Sequence, residues 1–189
     1  GTLYIEQPED TMVRLSDVRQ YINNVITTTL PVLDVVAIDY LSLLHPVETT
    51  RGMVTTADYN IMIKQFKSMA LNYVDPSGKK APFIGITPAQ ISRAGYSDCM
   101  KTDDLHYETS AIWMYSEFEK SSDEIVSILL TDEGRKNDKV KLQVLKNRDG
   151  NLNTTPQDIF CSLKNGGYMA NIKEASEEEV KDTLRSLDI

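Results

Sequence analysis

From Leu33 to Leu44 the chain reads Leu-Asp-Val-Val-Ala-Ile-Asp-Tyr-Leu-Ser-Leu-Leu: apolar and β-branched residues, broken by Asp39, then apolar again. This pattern predicts a strand over 33–38, buried on both faces, with Asp39 at its C-terminal edge. Upstream, Leu3–Ile5 has a strand-like pattern. A helix follows, with Ser16 as its expected N-cap and Leu15, Val18, Ile22 and Val25 on one face. Pro31 closes its link to the strand, and 45–56 reads as a polar loop. From Thr56 to Val74, Tyr59, Met62, Ile63, Phe66, Met69, Ala70 and Tyr73 form one apolar stripe, a core-facing helix. Asp75-Pro76-Ser77-Gly78 is a turn and Pro82–Thr87 the next buried strand. Residues 94–106 read as loop. Ala111–Lys120 reads as a helix with Ile112, Trp113, Tyr115 and Phe118 as bulk. Strands are expected at Glu124–Leu130, Val140–Lys146 and Asp158–Leu163. Asn165-Gly166 is the turn of a hairpin returning over Tyr168–Ile172. Ser176 to Glu179 is a capping box opening a terminal amphipathic helix. Strand and helix alternate up to residue 130, which indicates an α/β fold with a mainly parallel sheet; the closing strands add an antiparallel extension.

Composition narrows the classes. The 189 residues suit one domain or most of one, and 41% hydrophobic content supports a packed core. No apolar run reaches the ~20 residues of a membrane span, so no membrane partner is expected. Cys99 and Cys161 lie far apart with no ligand-spaced His or Cys, which argues against zinc and favours two reduced thiols in a cytoplasmic protein. A net charge of −8 argues against broad nonspecific nucleic-acid binding but leaves local loop contacts open. Much of the excess acid falls between Glu174 and Asp188.

Three polar sites follow one another at strand ends. Ligands of parallel sheets bind at the carboxyl edge. A carboxylate there, such as Asp39, matches the Walker B element that helps hold Mg²⁺ beside bound phosphates; the plainer alternative is an acid opening a polar loop. Gln90, with Arg93, follows the strand at 82–87, where a Gln can sense a γ-phosphate or orient water; an ordinary loop residue is the alternative. Lys146-Asn147-Arg148-Asp149-Gly150 ends a strand. Lys146 and Arg148, two apart, point the same way and could reach a phosphate on a neighbouring subunit, or simply be a solvated basic strand end. No Gly-x-x-x-x-Gly-Lys-Ser/Thr loop is present; Ser77-Gly78-Lys79-Lys80 lacks the spacing and the hydroxyl, and follows a helix instead of a strand.

The segment from Asp34 to Leu43, Gln90-Ile91-Ser92-Arg93, Asp104-Leu105 followed by Glu119 to Asp123, and Lys146 to Gly150 together resemble the replicative DNA helicases of the DnaB type, which have a RecA-like motor domain. Order and spacing agree with that family from residue 3 to about 172. The resemblance implies a RecA-like P-loop NTPase core binding ATP and Mg²⁺. In it Asp39 would be the Walker B carboxylate and metal ligand, with Tyr40, Gln90 and Arg93 beside the nucleotide. Gln90 would be the γ-phosphate sensor, and Lys146 and Arg148 the trans-acting lysine and arginine finger of a homo-hexamer. The loop after Leu44, with Arg51 and Gly52, and the loop with His106, Tyr107 and Glu108 would touch single-stranded DNA. The chain departs from the family at Thr87-Pro88-Ala89, which lengthens the approach to Gln90. It also has His106-Tyr107 where the family tends to have Arg-Glu.

The expectation is therefore the C-terminal portion (1–172) of a hexameric 5′-to-3′ DNA helicase motor, phage or mobile-element in character, followed by an acidic helical tail (173–189). Its P-loop and catalytic Glu would lie upstream of Gly1, leaving this chain alone inactive. Primase or a helicase loader would be partners. Two alternatives stay open: another RecA-superfamily ATPase (a recombinase or clock-type protein), and a non-catalytic degenerate RecA-like interaction domain. In the family the P-loop strand lies between the strands matching 82–87 and 125–130. This chain should then leave a gap there or pair those strands directly. Positions 39, 90 and 146–148 should emerge on one rim of a single twisted sheet.

Overall fold

The computed structural model describes residues 2–8, 12–29, 32–46, 54–113, 116–150, 155–162 and 168–171. In chain order the elements are α1 (Leu15–Thr28), β1 (Val35–Ala37), α2 (Thr56–Asn72), β2 (Ile84–Ile86), α3 (Arg93–Cys99), α4 (Ser116–Ser121), β3 (Glu124–Leu129), α5 (Asp132–Lys136), β4 (Lys139–Asn147), β5 (Gln157–Ser162) and β6 (Tyr168–Asn171). They fall into two compact units: residues 1–92 with 110–122, and residues 93–109 with 123–189.

The first unit is built on α2. Its N-terminus is set by a capping box: the Asp58 carboxylate accepts from the Thr55 N–H at 2.7 Å, and Asp58 N–H donates to Thr55 Oγ1 at 3.4 Å. Its apolar stripe then buries Met62, Ile63, Phe66 and Ala70, with Tyr73 just beyond, against Leu15 and Ile22 of α1, Leu41, Leu44, Phe83 and Phe118. Tyr73 crosses to α1, donating its hydroxyl to Asn23 Oδ1 at 2.5 Å, while its ring edge meets Phe83 at 5.7 Å. Glu117 of α4 is buried and receives Lys64 of α2 at 3.4 Å. Its carboxyl is held below the usual range, first by the Ser121 hydroxyl and then by Lys64.

β1 and β2 pair in parallel, Val35 with Ile84 and Ala37 with Ile86. Gly85 lies where β2 crosses α2: a Cβ there would stand 2.9 Å from the Phe66 ring. The expectation of strands buried on both faces is not met. Val35, Ile84 and Ile86 are 47%, 63% and 51% exposed. Val36, Ile38 and Leu33 pack on the core, and no described element covers the opposite face.

The second unit is a four-stranded antiparallel sheet in the order β3-β4-β5-β6. A bulge at Ile125/Val126 shifts the β3–β4 register, so that Ile125 faces Lys146 but Val126 faces Val144. Cys99 of α3, Tyr107, Leu129, Val140, Leu145 and Cys161 are buried in this unit.

Several local expectations change. Leu3–Ile5 forms no strand, having no partner among the described residues. Helix α1 starts at Leu15, one residue before the expected cap Ser16; Asp17 instead receives the Arg14 N–H at 2.8 Å. Residues 93–99 are helical where the pattern predicts loop, and α5 is an element the pattern does not predict. The expected helix over 111–120 is shortened to α4, and Trp113 is exposed, leaving Ile112 and Phe118 to pack. The parallel and antiparallel strands form two sheets, not one, and β2 and β3 share no ladder. Pro31, Tyr115, the Asn165-Gly166 turn, the Ser176 capping box and the whole acidic tail lie outside the described residues.

Candidate functional site

In the first unit the two parallel strands run side by side, so both leave the sheet at one rim. The Ile38 N–H bonds to Ile86 O at 2.9 Å and carries the ladder one step past β1. Asp39 follows, exposed, and the Asp39–Tyr40 peptide is cis. Tyr40 is half-buried and caps a single 3₁₀ turn, Leu41–Leu43, anchored by buried Leu41. Thr87, the first residue past β2, joins the two chain ends. Its Oγ1 donates to Ile38 O at 2.9 Å and accepts the Leu41 N–H at 2.9 Å. One hydroxyl thus holds both sides of the Asp39-Tyr40 dipeptide.

Gln90 lies on the same rim, four residues past Ile86, with an exposed side chain. Its backbone is fixed by a short antiparallel pairing: Trp113 N–H donates to Gln90 O, and Ser92 N–H to Ala111 O, both at 2.8 Å. Asp39 and Gln90 are therefore presented to the same solvent region from rigid neighbours. Among the described residues no group of three His, Cys, Asp or Glu side chains could hold a metal alone. A lone exposed carboxylate fits Mg²⁺ bound jointly by one acid, water and substrate phosphates.

In the second unit, Lys146 is the next-to-last residue of β4 and Arg148 comes directly after the strand end. The bulge beside them increases the local twist and redirects this end of the strand. Arg148 is held by Asp123: its N–H bonds Asp123 O at 2.9 Å and its guanidinium meets the Asp123 carboxylate at 2.7 Å. Both side chains are about half exposed, so the pair is solvent-screened. Arg93 opens α3 and is exposed.

The loop with His106, Tyr107 and Glu108 belongs to the same unit. His106 Nδ1 lies 2.5 Å from Asp104 Oδ1, and Nε2 lies 3.5 Å from Glu108 Oε1. The Asp104 hydrogen bond raises the His106 pKa, and the same bond lowers that of Asp104. Tyr107 is only 4% exposed and burial pushes its hydroxyl pKa up to about 12, so His106 and Glu108 are the loop's outward groups. Leu105 sits at φ 56, a left-handed conformation uncommon for a γ-branched residue. Arg51 and Gly52 lie outside the described residues.

A search of solved structures finds the same arrangement. A DnaB-like helicase ATPase domain superposes with a TM-score of 0.61 at 19% identity, over 85% of this chain and 52% of that one. The chain carries the fold of a DnaB-type helicase ATPase domain. A second neighbour of this DnaB-type fold is a DnaB-like replicative helicase described with its interactions with primase. It has a TM-score of 0.61 and 18% identity, over 82% of this chain and 35% of that one. The chain spans about half the length of the first neighbour and a third of the second. No family model matches the sequence, and no curated protein matches it. The expected RecA-like α/β architecture is thus found. Among the described residues no helix is long and apolar enough to cross a membrane.

Three residues of this DnaB-type fold escape a reading of the sequence. Thr87 reads there only as a link to Gln90. Asp123 falls inside a matched segment without a role. Gln143, polar in the midst of β4, does not stand out; a buried amide flanked by Leu142 and Val144 is the signal that could have found it.

Proposed function

We propose that this chain is part of the motor of an ATP-dependent hexameric replicative DNA helicase, moving 5′ to 3′ on single-stranded DNA. The observation that carries this reading is the shared rim of β1 and β2, from which Asp39 and Gln90 emerge within a DnaB-type fold. ATP with Mg²⁺ would supply the phosphoryl chemistry. Asp39 would hold the ion through water, with Tyr40, Gln90 and Arg93 near the nucleotide. Gln90 would sense the γ-phosphate. Lys146 and Arg148 would serve a neighbouring protomer's triphosphate, Arg148 exchanging its exposed Asp123 partner for phosphate. Such exchange costs little, because exposed ion pairs contribute about 0–1 kcal/mol. The His106–Glu108 loop and the 51–52 segment would meet the DNA backbone, and primase or a loader would be partners.

The test is ATP turnover by the full-length protein with and without single-stranded DNA. Arg148→Ala should lose roughly 10³-fold or more of its turnover, as for a trans-acting arginine, while still binding nucleotide. Normal turnover in that variant removes the finger assignment. Failure of the wild-type protein to bind nucleotide would favour the non-catalytic interaction domain.

A further inference from the structure

Gln143 lies in the middle of β4 and is 5% exposed. Its amide bonds the main chain of a residue 36 positions away: Oε1 accepts the Tyr107 N–H at 2.8 Å, and Nε2 donates to Tyr107 O at 3.0 Å. A side chain here supplies the paired donor and acceptor that a neighbouring strand would offer. Both bonds are buried, so breaking them strands a peptide group and an amide without water.

Each end of this lock is itself fixed. On the loop side the Tyr107 ring is buried, and the His106 N–H donates to Thr102 Oγ1 at 3.1 Å. On the strand side Gln143 pairs with Ser127 of β3, and the same strand runs on to Lys146 and ends beside Arg148. A displacement of the loop at Tyr107 is therefore borne by β4 rather than absorbed between them.

We propose that Gln143 is a positioning residue that couples the His106–Glu108 loop to the strand end carrying Lys146 and Arg148. DNA occupancy of the loop is thereby felt where the neighbour's nucleotide would be cleaved. This inference rests on the motor reading above. It adds a specific link, made through one amide, between the proposed DNA contact and the proposed trans-acting pair.

The experiment measures ATP turnover of the full-length protein with and without an oligodeoxythymidylate, together with hydrogen exchange at the Tyr107 amide. Gln143→Met keeps side-chain length and removes both bonds. Its DNA-free turnover should match wild type, while stimulation by the oligonucleotide falls about tenfold, the equivalent of about 1.4 kcal/mol of coupling. Gln143→Glu guards against a misfolded first variant. A neutral carboxylic acid can donate and accept as the amide does, whereas a carboxylate cannot donate. Burial raises a carboxyl pKa, so stimulation in Gln143→Glu should recover relative to wild type as pH falls from about 8 to about 6. Wild-type stimulation in Gln143→Met with faster Tyr107 exchange overturns the coupling alone, as does pH-independent stimulation in Gln143→Glu. A wild-type protein that DNA does not stimulate overturns the motor reading, and the coupling with it.

Discussion

Replacing Gly85 by Ala adds one methyl group at the tightest point between sheet and helix. The new Cβ would stand 2.9 Å from Phe66 Cζ and 3.0 Å from Cε1, with Ala70 Cβ at 3.6 Å on the other side. Phe66 is 6% exposed, and its ring lies 6.5 Å from that of Phe83, so retreat disturbs a second aromatic. Overpacking of this kind costs about 1–3 kcal/mol. Reduced freedom of the unfolded chain returns about 0.4–1 kcal/mol. The net expectation is a loss of roughly 0.5–2.5 kcal/mol, or a fall in Tm of roughly 2–8 °C for a chain of this size. Urea unfolding of wild type and Gly85→Ala should show a lower midpoint at unchanged slope. Adding Phe66→Leu makes room, so the double variant should lose less than the two single losses combined. A midpoint for Gly85→Ala at or above wild type would refute the steric reasoning.

Two further outcomes follow from side-chain geometry. Thr87→Val keeps the shape but removes the hydroxyl between Ile38 O and the Leu41 N–H. It should cost about 1–3 kcal/mol, with Thr87→Ser close to wild type; equal denaturation midpoints for Val and Thr would show that the bridge contributes nothing. His106 has its folded-state pKa raised above 6.5 and Asp104 has its own lowered below 3.8. The imidazolium contribution is complete below 6.5 and is lost as pH rises through the folded value; the carboxylate contribution is complete above 3.8 and is lost as pH falls through its folded value. The pair is therefore fully effective between these two limits. A proton NMR titration should place the His106 midpoint above 6.5 and move it down in Asp104→Asn; an unmoved midpoint would rule out the pairing as its cause.

Helix α2 is legible in the sequence because Tyr59, Met62, Ile63, Phe66 and Ala70 repeat at helical spacing over 17 residues, long enough for the period to show. Helix α3 is not, since Tyr96 and Cys99 are its only large apolar positions and Gly95 interrupts them. Helix α5, five residues long, announces itself mainly through Thr131 Oγ1 accepting the Gly134 N–H at 2.9 Å, a contact that composition does not reveal. β1 and β2 are found from their apolar runs, but their burial is overstated. A run such as Ile84-Gly85-Ile86 records the apolarity of both faces and not the neighbours of each. The order of Asp39 and Gln90 along one rim follows from parallel strands with polar residues at their carboxyl ends. The tether from Gln143 to Tyr107 leaves no trace in local pattern, because it joins a side chain to a peptide group far away in sequence.

Thr87 gives the rim an unusual mechanical property. A single oxygen atom is shared between the limb that leads to Asp39 and the limb that leads to Gln90. Neither limb has slack of its own, so a sub-ångström retreat at one is delivered to the other without an intervening chain of side chains.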